Sequence, residues 1–424
     1  MSAWLRGHRR SVVVAVVVAI VVIAGGVFAL VRTPHSVSNP NVPFTVSTTT
    51  TTTTPPVRRP PFLWAQYGYD AARTRDVESA PQLEPPFRVG WVYRDGATLE
   101  FPPVIDGEKM FMLDDSGWAS AVDLVTGRRI WRRRIGSLAA ASPGIARREG
   151  IVVFVTLSST GHKPGDGNAY GLSERTGRIV WKLPLPDGSE SSPVVSGTTA
   201  YFGDQGGAVY ALDVRNGAIR WEYHAAGSVK GGPALAGGNL YFGDYSGHVY
   251  AVSAATGRQV WDVGTSDADF GFGSGTFYST AAVAFGRVYI GNTDGSVYSF
   301  SARTGALAWS SHVGGYVYSS PAVGDIAGLG PTVYIGSYSG RFYAFDARSG
   351  AIRWTAAATG RIDGSATILN DVVYFAGEDE TTGVSATTGR TVFRFSDGSF
   401  SPIVADRAHA YLIGWVSIYR LTPR

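Results

Sequence analysis

Residues 207–221 read GAVYALDVRNGAIRW, and close variants of this phrase recur along the chain. Aligned on the final aromatic, the copies end at Trp131, Trp181, Trp221, Trp261, Trp309, Trp354 and Phe393, spaced 39 to 50 residues apart. A further copy, GWVYRDG, places Trp91 40 residues before the first. Periods of this length mark propellers or solenoids, and the inside of one unit decides between them. In 192–221, SPVVSGTTAYFGDQGGAVYALDVRNGAIRW, four short runs alternate with small turns and none has helical period or length. Each unit therefore reads as a four-stranded antiparallel meander, one blade of a β-propeller.

Fixed positions within the phrase have structural reasons. Four residues before each aromatic stands Gly (Gly127, Gly177, Gly217, Gly257, Gly305, Gly350, Gly389), as a turn at positive φ requires. Eight before it stands Asp or Ser, able to accept hydrogen bonds from the turn backbone. Ten before it is a small residue (Ala121, Gly171, Ala211, Ala251, Ser299, Ala344, Gly383), read as a shallow seat for the indole between blades. Seven full units fit between 101 and 400. The chain's end, SPIVADRAHAYLIGWVSIYRLTPR, supplies three strands, and FRVGWVY at 87–93 supplies a fourth. Joining them closes an eight-bladed ring and removes an open sheet edge. The expected fold class is thus all-β: an eight-bladed propeller with a split closing blade, residues 63–86 packing across a face or rim.

The N-terminal region differs in kind. Val12–Val31 holds 20 residues without a charge, enough to span a bilayer core, and follows Arg6, Arg9 and Arg10. The expected order is a basic cytoplasmic tail (1–11), a transmembrane anchor (12–31), a Thr/Pro-rich extracytoplasmic linker (32–62) and the propeller (63–424). A cleaved signal peptide is the competing reading of 12–31, disfavoured by the length of the apolar run. The linker, with Thr48–Thr54 at its centre, reads as a spacer open to O-glycosylation. Charge points the same way. Residues 1–62 hold six Arg and no acid, leaving 31 basic against 33 acidic residues from 63 to 424, so a nucleic-acid partner loses its support.

The phrase A-x-D-x-x-T-G-x-x-x-W resembles the tryptophan-docking repeat of the pyrroloquinoline-quinone (PQQ) propeller superfamily over residues 87–424. That resemblance implies either of two branches, the quinoprotein alcohol dehydrogenases or the non-catalytic BamB-like assembly factors. The enzyme branch would imply PQQ, a Ca²⁺ held by acidic and amide side chains, a catalytic Asp and often a disulfide of adjacent cysteines. The chain has no Cys, and GDIAGLG at 324–330 puts Ala327 and Leu329 where calcium loops carry oxygen ligands. No H-E-x-x-H motif or nucleophile elbow occurs either. The expectation is accordingly no catalysis, no cofactor and no metal, with an envelope protein or complex as partner of a monomeric propeller at the cell membrane. A glycan or small-molecule sensor and a PQQ-dependent oxidoreductase stand as alternatives.

Recognition is expected on the face opposite the T-G turns, where the repeat is interrupted by SSTGHKPGDGNA (158–169) and TSDADFGFGSGTFYS (265–279). Candidate contact residues are Phe270, Phe272, Phe277 and Tyr278 in the second interruption, and Trp118, Tyr245, Tyr316 and Tyr338 on other loops. Each aromatic could instead fold back as a cap. Lys230 and Arg361, just before innermost strands, are placed near the channel mouth as ion-paired or solvated side chains, with Ser191, Ser319 and Asp363 as weaker neighbours.

Overall fold

The computed structural model describes residues 36–46, 61–77, 83–157, 167–265, 275–399 and 403–424. Contacts divide the chain after Ser36, and the propeller lies within Val37–Arg424. The stretch 12–31, read from the sequence as an anchor, and most of the two loop interruptions lie outside the described residues. Among those described there is no α-helix, and no helix long and apolar enough to cross a membrane.

Eight four-stranded antiparallel blades make the ring, three of them carrying one further short strand from the N-terminal stretches. Blades 1 to 7 span 104–134, 144–184, 194–224, 234–264, 282–312, 322–357 and 367–395, each running from innermost to outermost strand in chain order. Blade 8 joins Val404–Ala405, Ala410–Ile413 and Ser417–Pro423 to Phe87–Arg94, the split closure expected from the sequence.

The repeated phrase does two jobs. In blades 1 to 7 the small residue lies directly across the strand pair from the aromatic, as in Ala211↔Trp221, Gly171↔Trp181 and Gly383↔Phe393. It is therefore a seat within a blade, and the contact between blades comes from another residue. The Trp ring reaches over the turn glycine of the next blade, and its Nε1–H donates to a carbonyl there. Trp221 lies against Gly257 and bonds Ala254 O at 3.0 Å; Trp354 lies against Gly389 and bonds Ala386 O at 3.0 Å. Trp91, Trp131, Trp181, Trp261 and Trp309 repeat this arrangement, whereas Phe393 has no N–H to give.

Residues 61–77 depart from the expectation of a face or rim. They enter from the T-G turn side and fill the central channel, reading the innermost strands in order. Leu63–Trp64 pair with blade 1. Ala65, Ala71, Ala72, Thr74 and Arg75 then accept hydrogen bonds from Ile145, Leu235, Val283, Val323 and Ile368 of blades 2, 4, 5, 6 and 7, at 2.7 to 2.9 Å, and Gln66 Oε1 takes Val195 N of blade 3. Innermost strands otherwise turn unpaired N–H groups toward the channel, and the plug satisfies them. Trp64, Arg73 and Arg75 are each 1% exposed or less. Arg73 donates to the carbonyls of Pro233, Tyr67 and Ser192, and Arg75 to those of Arg73 and Pro321. Burial holds both guanidinium groups below the usual range, and the Arg75 charge helps take Arg73 down to about 9.

The segment read as a single spacer from 32 to 62 is also revised. Val37–Ser38 add a fifth strand to the outer edge of blade 5, opposite Ser310 and Trp309. Val42 is buried, Phe44 stacks on Phe285 at 5.4 Å, and Arg287 donates to the carbonyls of Val42 and Pro43. The threonine run thus connects two stretches, 36–46 and 61–77, that are both docked on the propeller.

Candidate functional site

On the face away from the T-G turns, the connections between blades converge on the plugged channel. Seven of them are pinned by one residue whose N–H bonds the chain at or just past the end of the preceding blade's second strand: Leu99, Ala139, Ser189, Val229, Phe277, Val317 and Ile362. Val229, Phe277, Val317 and Ile362 sit over Gly203, Gly243, Gly291 and Gly336, where a Cβ would fall within 2.4 Å of the side chain, so only glycine admits them. The residue after each pin turns inward. Glu100, Glu190, Lys230, Tyr278, Tyr318 and Asp363 come in this way to line one cavity of about 400 Å³.

Tyr67, at the tip of the plug, forms the cavity floor, its hydroxyl bonded to Ser320 and Ser365 and its ring 4.6 Å from the Arg75 guanidinium. Burial alone would raise the pKa of this hydroxyl, but the Arg75 charge and the hydrogen bonds together lower it. One wall is an arc of tyrosines. Ring centroids step from Tyr245 to Tyr278 (6.4 Å), to Tyr318 (5.2 Å), to Tyr338 (4.9 Å), with Tyr316 beside the last two and 54% exposed. A cation closes each end of the arc. Lys230 lies 4.8 Å from the Tyr245 ring and 2.7 Å from Glu190, while Arg361 lies 5.3 Å from the Tyr338 ring and 3.5 Å from Asp363. Loops hold the two tyrosines in place: Asp244 accepts from Ser246 N and His248 N around Tyr245, and Ser337 Oγ accepts from Ser339 N around Tyr338.

Across the cavity stand Glu100 and Phe101. Burial pushes the Glu100 carboxyl up, and Glu190, Asp115 and Asp363 push it further. Burial also raises Tyr278 and Tyr245, with Glu190 adding to both. The cavity is therefore lined by three carboxyls, two of them with a cation beside them, Glu190 with Lys230 and Asp363 with Arg361.

The expected site residues divide. Lys230, Tyr245, Tyr278 and Tyr338 line the cavity, and Tyr316 and Arg361 stand at its rim. Trp118 lies elsewhere, stacked under Arg132 and Arg134 at the outer part of blade 1. Phe277 is a correction: it is fully buried between blades 4 and 5 and offers no contact surface. Phe270 and Phe272 lie outside the described residues. Ser191 and Ser319 are buried, their hydroxyls donating to Gly231 O and Gly364 O, and so join blades. Glu100, Glu190, Tyr318 and Tyr67 were missed. The first three share a signal with Lys230, Tyr278 and Asp363, since each stands three residues before a Pro or Ala that immediately precedes an innermost strand.

The donor set fits PQQ with Ca²⁺ poorly. A tricarboxylate would face Glu100, Glu190 and Asp363 with Lys230 as the cation of the lining among the described residues, and the two plug arginines are sealed beneath Tyr67 with carbonyl partners. Among the described residues no cluster of three His, Asp or Glu could hold a metal.

Known proteins share this architecture. The structure of BamB from Moraxella catarrhalis superposes with a TM-score of 0.65 at 19% identity, over 79% of this chain and 99% of that one. A europium-containing methanol dehydrogenase gives 0.70 at 14% identity, over 84% and 91%, and the quinohemoprotein alcohol dehydrogenase of Comamonas testosteroni gives 0.67 at 13%, over 85% and 80%. At such identities the likeness is one of fold. Among curated sequences, tetrathionate hydrolase of Acidithiobacillus ferrooxidans is 27% identical over 101 residues, which are 24% of this chain and 19% of that protein. The family model of PQQ-like propellers described as outer membrane protein assembly factor BamB matches residues 82–247, 246–327 and 294–411, together most of the chain, so this protein belongs to that family.

Proposed function

We propose that the protein is a non-catalytic binding propeller, held at the cell membrane by residues 12–31 with the propeller outside the cytoplasm, whose loop face docks a protein of the envelope during its assembly. The single observation that carries this reading is the loop face itself: a tyrosine arc with Tyr316 54% exposed at the rim of the cavity, and Trp415, 49% exposed, apart from it on the same face. Aromatic anchors beside ion pairs are the composition of protein-binding hot spots. Membership in the BamB family supports a partner of this kind.

A photo-crosslinking residue placed at Tyr316 or Trp415 of the full chain in its own envelope tests the proposal. One saturable adduct is expected, absent when the crosslinker stands at the exposed Val125 on the turn face, and about tenfold weaker with Tyr338→Ala. Equal labelling from both faces overturns the reading. So does dye-linked alcohol or sugar oxidation by the purified chain given PQQ and Ca²⁺.

A further inference from the structure

We infer that the turn face of the propeller is a surface for anionic lipid headgroups, so that the loop face with its tyrosine arc points away from the bilayer. The inference rests on the anchor proposed at 12–31 and adds which face the anchored propeller turns to the membrane.

The turns differ in charge from the rest of the ring. From the Asp or Ser that opens each T-G turn to the aromatic that ends it, the seven turns hold eleven Arg against four acids. The turns between first and second strands nearly balance: 106–109, 147–150, 285–287, 325–330, 370–371 and 406–409 carry five Lys or Arg and six acids. Together these turns are net +6, and because 63–424 as a whole is net −2, everything else in it is net −8.

The acids of the T-G turns are already engaged. Asp123 accepts from Thr126 N and Oγ1, Asp213 pairs with Arg215 and Arg220, Asp346 with Arg353, and Glu174 with Lys109. Five arginines, by contrast, have no ion pair among the described residues: Arg128, Arg178, Arg258, Arg303 and Arg390, from blades 1, 2, 4, 5 and 7, all exposed. The turn sets where they stand. Each follows a Thr-Gly pair or precedes one, and the N–H groups of Arg128, Arg178, Arg258 and Arg390 donate to the hydroxyl of the Thr two residues earlier. The result is a broken circle of guanidinium groups on one end of the propeller, and guanidinium forks fit lipid phosphates.

The N-terminal stretch brings this face within reach. Residues 32–36 are all that separate the anchor from Val37, six Cα–Cα steps and so at most about 23 Å of chain. The threonine run lies beyond Val37 and adds nothing to that reach. Val37 pairs with Ser310, midway along the outer strand Leu307–His312 of blade 5, from where this length can lay either face on a bilayer. Charge chooses: anionic headgroups attract the net +6 turns and repel the remainder.

The chain has no Cys, so single cysteines can carry a fluorophore at Val125 on the turn face or Val416 on the loop face, 57% and 40% exposed. The full chain is placed in vesicles of phosphatidylcholine, alone or with phosphatidylglycerol, bearing a headgroup spin-label quencher. Quenching at Val125 should be at least about fivefold greater with phosphatidylglycerol and should fade in roughly 0.5 M salt, while the Val416 label stays bright. Replacing Arg128, Arg178, Arg258 and Arg390 by Gln together should remove most of the quenching and leave the thermal midpoint unchanged. Quenching at Val416 as strong as at Val125, no preference for phosphatidylglycerol, or indifference to the four replacements overturns the inference. Full release by soluble poly-glutamate at about a tenth of the lipid charge overturns the membrane in favour of an acidic polymer. Alkaline carbonate separates this from the anchor: a chain that resists extraction with Val125 unquenched sinks only the face, and a chain that is extracted yet quenched at Val125 when added to phosphatidylglycerol vesicles sinks only the anchor.

Discussion

Gly257 carries two constraints at once. Its φ is +70°, and a Cβ there would lie 2.8 Å from the Trp221 ring of the preceding blade. Gly237, at φ +55°, has nothing within 4 Å of the same imagined atom. Alanine at Gly237 should cost about 1 kcal/mol, for backbone conformation alone. Alanine at Gly257 should cost about 2–4 kcal/mol, because the indole must also move. Urea denaturation of the two variants checks this, and equal losses would show that the Trp contact adds nothing. The same comparison explains why the repeated phrase was so readable in the sequence. Each glycine, each small residue and each Trp answers a steric demand that recurs in every blade, so the demand leaves a periodic mark. The cavity leaves a fainter one. Its position before Pro or Ala recurs, but Glu, Ala, Lys, Tyr and Asp occupy it in turn, and a search for repeated residues passes over a repeated place.

At the scale of an element, the plug behaves differently from the blades. It has no repeat, and most of its bonds to the ring use main-chain carbonyls, which any residue provides. Nothing in DAARTRDV (70–77) could therefore announce a channel filling. The 36–46 stretch was hidden for a related reason: its Ser, Asn and Pro read as a tether, and its docking rests on two paired residues, Val42, Phe44 and the reach of Arg287. The plug's side chains still matter where they are polar. Arg73 serves three carbonyls in a buried site, so Arg73→Met leaves buried acceptors unpaired and should lower stability by about 2–4 kcal/mol. Arg88→Met, on the exposed outer strand of blade 8, should change it by less than about 0.5 kcal/mol. Denaturation midpoints of the pair separate a structural plug from a passive filler.

Across the whole molecule, the two faces treat acids in opposite ways. On the loop face burial raises Glu100, Asp204, Asp294 and Asp363, and takes Asp114 to about 6. On the turn face Asp123 is lowered by the Thr126 N–H and Asp213 by Arg215. Asp346 and Asp406 are lowered too: burial works against this, and hydrogen bonds from Ser349 and Arg353, and from His409 and Tyr411, outweigh it. A carboxyl raised by folding favours the folded state when protonated, and that contribution is lost as pH climbs through its folded value. A lowered one favours the folded state above its unfolded value near 4 and loses this as pH falls below it. Stability should therefore rise from pH 7 toward about pH 4 to 5 and fall below about pH 4. Thermal midpoints measured from pH 3 to 8 show whether it does, and a steady decline from pH 7 to 5 would contradict the assignment.

The channel filling also sets a limit on size. Rings built of one repeated unit can in general close with more or fewer copies, because each copy touches only its neighbours. Here a single stretch of fixed length, Leu63 to Arg75, touches blades 1 to 7 in order and gives each a partner. A wider or narrower circle would move the inner strands away from the acceptors spaced along this stretch, and a narrower one would crowd Trp64, Arg73 and Arg75. The segment made before any blade thus acts as a gauge for the width of the channel that the repeats enclose.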